Sequence, residues 1–487
     1  MSGEAKTKES LDSGQFLFRF RSAKALLVDN RDAGGFLELE KQTIYFAKPE
    51  ELNDPVEGLT DAFWDGDDVL WENLFRHYAL ALIWYAAAWH ISKPEEIHKI
   101  DINAGLTEAD LPTDSFQCIY REFAGAFCAS VDTKGLAKAL ARQSIPLRRE
   151  RLTTLLFVLH SNALDHLFRV LKKHNLSPIE MPSRRCTASP AKLVVKLWAA
   201  LVRKPPTSSM SVESVMELLG RSVNHVNRQL ELDMLRQVDR KDEALKIIAL
   251  FSRFPEMYVQ AFLRDLHFTP WRVACFSRRC VNASMWGTYG DGHRGAVLVY
   301  RTTERDNRRF FAINGLHASR GREALLEVQP VVYRRQPPLL DSFLEIGNLP
   351  IPKLASTWMR SPSGETSTRY ADMASDIDTW RKAHWQKHNE RAIWKHPDWE
   401  HEAESRLVAS TAFSDDPAPE PLTYNFSQLE GIVFGMRMSV DDKLRIQEIV
   451  EKKCRAEGRT DFRFFGIRYS PEKGEMELEE LGLLGSK

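Results

Sequence analysis

The pattern of apolar and polar positions divides the chain by periodicity. Phe16 to Ser22, FLFRFRS, alternates strictly. Phe16, Phe18 and Phe20 fall on one face and Leu17, Arg19 and Arg21 on the other, which predicts a half-buried strand with two guanidiniums aimed the same way. Ala23 to Asp29 predicts a short helix, Gly34-Gly35 a break, and Phe36 to Phe46 a strand pair. Asn53-Asp54-Pro55 is a turn signal, because Asx side chains bond the local backbone and proline fixes φ. From Asp67 to about Leu266 the period becomes helical, as in Val69, Leu70, Leu74, Tyr78 and Leu82. Leu152 to Lys173, Ala191 to Val202, Val212 to Leu219 and Leu230 to Arg253 repeat that pattern between breaks at Pro146, Pro178, Pro182 and Pro205-Pro206. These runs predict about six to eight helices without an internal repeat.

Sheet patterning resumes at Trp271. Val273 to Phe276 and Ala296 to Tyr300 predict two strands flanking a loop that holds Met285, Trp286, Tyr289, Asp291, His293 and glycines. Leu325 to Val328 and Val331 to Tyr333 are further strand candidates. Tyr370, Met373, Ile377, Trp380 and His384 form one helical stripe. Glu400 to Ala409 is read as a strand, which would place Glu400, Glu402, Glu404 and Arg406 on one face. Leu429 to Gly435 predicts a buried strand, Asp441 to Glu457 an amphipathic helix, and Phe462 to Tyr469 a final strand. The expected class is therefore α+β. Residues 16–66 and 267–470 together form a small mixed-sheet unit, and residues 67–266 form a long all-α insertion. Residues 1–15 are a frayed tail, and 471–487 an acidic one with an edge strand around Met476, Leu478 and Leu481.

Composition narrows the setting. Lysine plus arginine and aspartate plus glutamate each number 67, so the formal net charge is zero and no global field draws the chain to nucleic acid or anionic lipid. Six cysteines without a CxxC pair fit reduced thiols. Tyr78 to Ser92, the longest early stretch without charge, is too short for a bilayer, which needs roughly 20 apolar residues. No targeting signal is visible. The expectation is a cytoplasmic protein with no membrane partner.

Candidate chemistry sits in four places. Arg19 and Arg21 offer an anion or phosphate grip. Three carboxylates in a row at Glu400, Glu402 and Glu404 repel one another and need a partner, which Arg406 can supply. His384 and His388 lie one helical turn apart, but no glutamate follows the first, so the zinc-protease signature is absent. Asp54, Glu57, His293 and the Glu402/Glu404 pair offer hard ligands for Mg²⁺ or Mn²⁺, yet no spacing among them is diagnostic and no metal site is assigned.

Five ordered segments carry a family resemblance: FLFRFRS, IYFAKPEELNDPVEG, CFSRRCVNASMWGTYGDGHRG, KHPDWEHEAESR and LEGIVFGMRMS. They resemble the bacterial domain-of-unknown-function family 2971 over about residues 16–60 and 270–450. Leu52 and Thr288 depart from the family pattern, which has phenylalanine and histidine there. That resemblance implies no particular activity. A more remote likeness is to ADP-ribosyltransferases, which present a strand arginine or histidine, a strand serine and an ExE glutamate in that order. Here the order is Arg19 or Arg21, then Ser277, then Glu402-Ala403-Glu404. The likeness implies that NAD is a substrate, with no resident cofactor. The arginine would hold the pyrophosphate, Ser277 would orient the ribose, and Glu404 with Glu402 would stabilise an oxocarbenium-like centre. Trp286 or Tyr289 would stack on the nicotinamide, and the acceptor would be a protein or nucleic acid.

The alternative expectation is a sensor or interaction module that binds a small nucleotide ligand without turnover, in the setting of a bacterial stress or phage-defence operon. Its pocket would be built by Trp286, His293 and the Asn53-Asp54 turn with Glu57.

Overall fold

The structure, a computed structural model, describes residues 14–30, 35–91, 100–142, 146–176, 253–316, 323–410 and 422–482, with Leu11, Arg221 and His225. Most of the expected 1–15 tail lies outside the described residues, as do the helices expected at 191–202 and 212–219 and nearly all of the one at 230–253. The chain divides into two compact units: residues 1–59, 270–338 and 388–487 form unit 1, and residues 60–269 and 339–387 form unit 2. Residues 339–387, assigned by the sequence reading to the sheet-forming part, pack instead with the helices. Phe343, Ile346, Leu354, Trp358, Met359 and Met373 share one core with residues of the insertion.

Unit 1 is built on a sheet of ten strands, larger than the small sheet expected: β1 (Phe16–Arg21), β2 (Trp271–Ser277), β3 (Ala296–Arg301), β4 (Thr303–Arg305), β5 (Arg308–Ile313), β6 (Ala324–Pro330), β7 (Glu404–Ser410), β8 (Leu429–Phe434), β9 (Arg463–Ser470) and β10 (Glu475–Leu481). Their spatial order is β10-β9-β8-β3-β1-β2-β7-β6-β5-β4. Every neighbouring pair is antiparallel except β8 with β9, which are parallel and joined by the helix Val440–Glu457. That helix starts where the Ser439 side chain accepts from the Asp442 amide and stops at Gly458, whose φ of 65° suits only a residue without Cβ strain. The acidic C-terminal stretch is therefore not merely a tail, since β10 pairs with β9 along its whole length.

The alternation of β1 survives, but both of its faces are covered. Phe16, Phe18 and Phe20 join Trp286, Val297, Val299 and Val433 in one apolar cluster, while Leu17 joins Ala274, Leu298 and Ile432 in another. Arg19 is only 8% exposed, so the strand is not half-buried. Three other expectations change. The segment Phe36 to Phe46 is not a strand pair: two short strands, Gly35–Phe36 and Thr43–Ile44, pair with other stretches, and between them lies a helical turn, Glu38–Lys41, bracketed by left-handed Leu37 and Gln42. The expected loop between β2 and β3 contains a short helix, Ala283–Thr288, which the Asn282 side chain caps by accepting from Met285. Residues 397–402 form a 3₁₀ helix ending at left-handed Ala403, so β7 begins only at Glu404.

Unit 2 gathers the helices Asp68–Ile91, Asp114–Ala129, Val131–Ala141, Arg149–Lys173 and Phe254–Asp265. Thr113 and Ser130 cap two of them through side-chain oxygens. Trp64, Trp71, Phe75, Tyr78 and Phe262 are fully buried in the core. Two polar pairs lie inside it: His77 Nδ1 is 2.9 Å from the Tyr258 hydroxyl, and His160 Nδ1 is 2.8 Å from that of Tyr78. Burial lowers the His77 pKa to about 4, so it is neutral at ordinary pH. The stripe from Tyr370 to His384 spans two helices, Thr368–Ser375 and Ile377–Ile393, because the backbone leaves the helical region at Asp376. Among the described residues, no helix is long and apolar enough to cross a membrane.

Gly431 tests the packing of β8. It lies where the register with β3 shifts, and a Cβ there would stand 2.4 Å from the Arg463 carbonyl oxygen of β9. Gly431→Ala is expected to destabilise unit 1 by roughly 2–4 kcal/mol, since it forces apart a paired, buried strand. The midpoint of urea unfolding measures this, and a midpoint equal to that of the unsubstituted protein would contradict the pairing.

Candidate functional site

The register fixes which side chains meet on the sheet. Phe18 of β1 stands opposite Ser277 of β2, and Ser277 stands opposite Glu404 of β7. In antiparallel pairs, directly opposed residues share a face. Ser277, Cys275, Glu404 and Arg406 therefore occupy the Phe18 face, where they separate the Trp286 cluster from a patch formed by Trp271, Val273 and Ala392. Arg19 and Arg21 alternate with Phe18 and lie on the other face. Arg19 sits over the Phe276 ring and donates to the Tyr45 carbonyl, and Arg21 pairs with Glu38. The structure does not bring these two arginines to Glu404.

What it does bring together is a closed ionic cluster. Arg406 donates from Nε and Nη2 to the two Glu404 oxygens at 2.8 and 3.1 Å, from Nη1 to the Ala392 carbonyl at 2.7 Å, and from Nη2 to Glu57. The Lys395 ammonium lies 2.6 Å from Glu402 Oε2, 2.9 Å from Glu404 Oε2 and 3.7 Å from Glu57 Oε2. All five side chains are below 10% exposed, and Arg406 is wholly buried. Three carboxylates thus face two cations in a volume without bulk water. A lysine ammonium sits at the focus of the carboxylates, the position a metal ion would need. Among the described residues, no group of three acidic, histidine or cysteine side chains is arranged to hold a metal.

The surroundings are also ordered by this cluster. The Tyr289 hydroxyl donates to Glu402 Oε1 at 2.6 Å and accepts from the Asn53 amide at 2.9 Å. The Glu404 amide donates to the Tyr333 hydroxyl, and Ser277 Oγ donates to the Glu402 carbonyl at 2.8 Å. The Lys395 ammonium lies 5.1 Å from the Trp399 ring centroid, a cation–π contact.

The electrostatics follow from burial and pairing. Burial alone would raise the Glu404 pKa, but Arg406 and Lys395 outweigh it and hold the carboxyl at about 2. For Glu57 burial prevails over Arg406 and Lys395, and the pKa is raised. Burial disfavours the Lys395 charge, yet Glu404, Glu57 and Glu402 together raise its pKa above the ordinary value. Burial and then the bond to Glu402 push the Tyr289 phenol up, and burial and then Glu404 push the Cys275 thiol up, so both keep their protons.

The other expected site residues are distributed as follows. Trp286 is fully buried and donates from Nε1 to the Cys280 carbonyl at 2.8 Å, so it packs against Phe20 and has no free face for a ligand. Asp54 is buried and accepts from the Val56 amide, which is turn chemistry. His293 stacks on Trp286 at 5.9 Å and has a left-handed backbone at φ 69°. The Glu400-to-Arg406 ladder does not exist as a single strand face. The left-handed turn at Ala403 folds Glu402 back beside Glu404, and only Glu404 and Arg406 keep the strand relation. His384 and His388 have separate partners, Glu345 and Ser410, and do not form a ligand pair.

The sequence reading missed Lys395, Tyr333, Arg278 and Arg279. A signal for Lys395 was present: it opens the KHPDWEHEAESR segment, and four acidic residues in that segment required more positive charge than Arg406 alone supplies.

Arg278 and Arg279 matter because a cavity of about 940 Å³ lies beside the cluster. Its wall includes these two arginines, His293, Met436, Tyr469 and Ala403. Ala403 links the two features, since its carbonyl accepts from the Arg278 amide at 2.9 Å and from Arg278 Nε at 3.2 Å. Among the described residues no carboxylate pairs with the Arg279 guanidinium, and His293 Nδ1 is buried without a partner.

A family model described as "Protein of unknown function (DUF2971)" matches residues 285–407. The matched stretch contains Tyr289, His293, Lys395, Glu402, Glu404 and Arg406, and stops short of the N-terminal segments. No curated protein and no solved structure matches the chain.

Two tests address the cluster. Lys395→Met leaves three buried carboxylates against one guanidinium and is expected to cost about 3–5 kcal/mol in urea unfolding at neutral pH. Glu404, held at about 2 against an ordinary 4.5, contributes stability that is complete above pH 4.5 and lost as pH falls toward 2. Glu57, displaced upward, acts above pH 4.5 with the opposite sign and does not mask this loss. A pH series of unfolding midpoints should show the acid decline in the natural sequence and a flatter one in Glu404→Gln. Equal slopes would contradict the pairing.

Proposed function

We propose that unit 1 is a ligand-binding module that takes a phosphorylated nucleotide in the cavity beside the ionic cluster. The observation that carries this reading is the pair of consecutive arginines, Arg278 and Arg279, lining a cavity of about 940 Å³ whose other walls include Val281, Met436, Tyr469 and Met476. A planar guanidinium matches phosphate oxygens in a forked geometry, and apolar and aromatic side chains accept the face of a base. The size is that of an ordinary small-molecule site, at the upper end of roughly 300–1,000 Å³. In this reading the cluster is the fixed floor of the site, and Ala403 transmits its position to Arg278.

The same geometry weighs against glycosyl transfer from NAD at Glu404. A catalytic carboxylate must reach the ribose, whereas Glu404 is 3% exposed and engaged by two cations. The arginines expected to hold the pyrophosphate, Arg19 and Arg21, lie on the opposite face of the sheet. Binding without turnover therefore fits better than an ADP-ribosyltransferase-like reaction.

Calorimetric titration with ADP-ribose, ATP and NAD tests the proposal. At least one is expected to bind with a dissociation constant below about 1 mM, and Arg279→Ala to weaken it about tenfold or more. NAD should release no nicotinamide above the blank. Absence of binding by all three would overturn the reading, and nicotinamide release abolished by Glu402→Gln or Glu404→Gln would replace it with glycosyl transfer.

A further inference from the structure

We propose that unit 2 contains a second ligand site, for a small uncharged aromatic molecule carrying one hydroxyl group. The site is a pocket of about 360 Å³ whose wall includes Leu349, Met373, Ile377, Trp380 and Trp385. It is separate from the nucleotide reading above, in both residues and ligand chemistry.

The polar end of the pocket is built around His384. Its ring lies between Phe268, at 4.6 Å and 31°, and Trp380, at 5.0 Å and 20°. Its Nδ1 lies 2.7 Å from Glu345 Oε2, and Lys387 holds the other oxygen of that buried carboxylate. Burial would raise the Glu345 pKa, but the bonds from His384 and Lys387 outweigh it, so the carboxylate stays ionised. A carboxylate accepts, so Nδ1 carries the proton, and in the neutral ring Nε2 is left as an acceptor. The ring edge bearing Nε2 lies against Gly347: a Cβ at that position would stand 2.3 Å from Nε2 and 2.4 Å from Cε1. Gly347 and His384 both line the pocket.

A second polar atom points to a ligand independently. Thr269 also lines the pocket, and its hydroxyl oxygen is buried with no hydrogen-bond partner among the described residues. A buried hydroxyl left unmatched is unfavourable, and one ligand hydroxyl that donates to His384 Nε2 and accepts from Thr269 Oγ1 removes that deficit. The indole and phenol walls of Trp380, Trp385 and Tyr370 suit a ring. The volume, at the lower end of small-molecule sites, suits one ring system and excludes a nucleotide. Among the described residues the one lysine or arginine on the rim is Arg381, which Asp378 matches at 3.3 Å, so a neutral ligand is favoured over an anion.

The full-length protein is titrated with 4-methylphenol and with toluene, using ligand-observed NMR. 4-Methylphenol is expected to bind with a dissociation constant below about 1 mM and about tenfold more tightly than toluene. Thr269→Val, which keeps the shape and removes the hydroxyl, should weaken 4-methylphenol about tenfold and leave toluene unchanged. Gly347→Ala should weaken both, and Arg279→Ala neither. Failure of 4-methylphenol to bind, equal binding of the two probes, or unaltered affinity in Thr269→Val would overturn the proposal. Circular dichroism of each variant separates loss of the site from loss of the fold.

Discussion

The carboxylates of Glu57, Glu402 and Glu404 share a water-poor volume with Lys395 and Arg406, and much of unit 1 is arranged to make that tolerable. Each charge has been stripped of its hydration, and the loss is offset only if every partner stays in place. Arg406 meets this requirement with four acceptors drawn from three stretches of chain. The turn at residues 53–57, the 3₁₀ helix at 397–402 and the start of β7 are thereby held at one point. Removing any member exposes the others to an unmatched charge, so the cluster acts as a lock on local topology more than as a reservoir of net stability.

This use of the acidic residues bears on chemistry. A glutamate that must neutralise two cations to keep the fold is poorly suited to approach a sugar hydroxyl, because the approach would break the contacts that hold it. Other groups are positioned by the cluster without being enclosed in it. Tyr289 and Asn53 lie at its edge, and Arg278 is tied to it through the Ala403 carbonyl. Unit 2 handles polarity differently. Two of its buried imidazoles, His77 and His160, meet tyrosine hydroxyls, whereas at His384 an ionised carboxylate orients the ring.

Several elements were readable from local pattern. The alternation of Phe16 to Arg21, the apolar runs of β2, β3 and β8, and the helix ending at Gly458 correspond to observed elements within a residue or two. The Glu400-to-Arg406 segment misled for a specific reason. Its charge alternation is compatible with a strand, but Pro397 favours a helical turn and Ala403 adopts φ 46°, a conformation that alternation cannot signal. The placement of residues 339–387 with the helices was likewise hidden, since Phe343 and Trp358 look the same whichever core receives them.

By itself, then, the sequence determined where many stretches are extended or helical, because those choices depend largely on side-chain spacing over a few residues. It also marked Tyr289, Glu402, Glu404 and Arg406 as belonging to one chemical problem. Only the tertiary structure decided that Lys395 completes the cluster, that Glu57 joins Arg406 across 349 positions, and that Arg19 and Arg21 are turned to the other face. A charge chooses its partner through space, and strand pairing, not order along the chain, sets which face each residue shares.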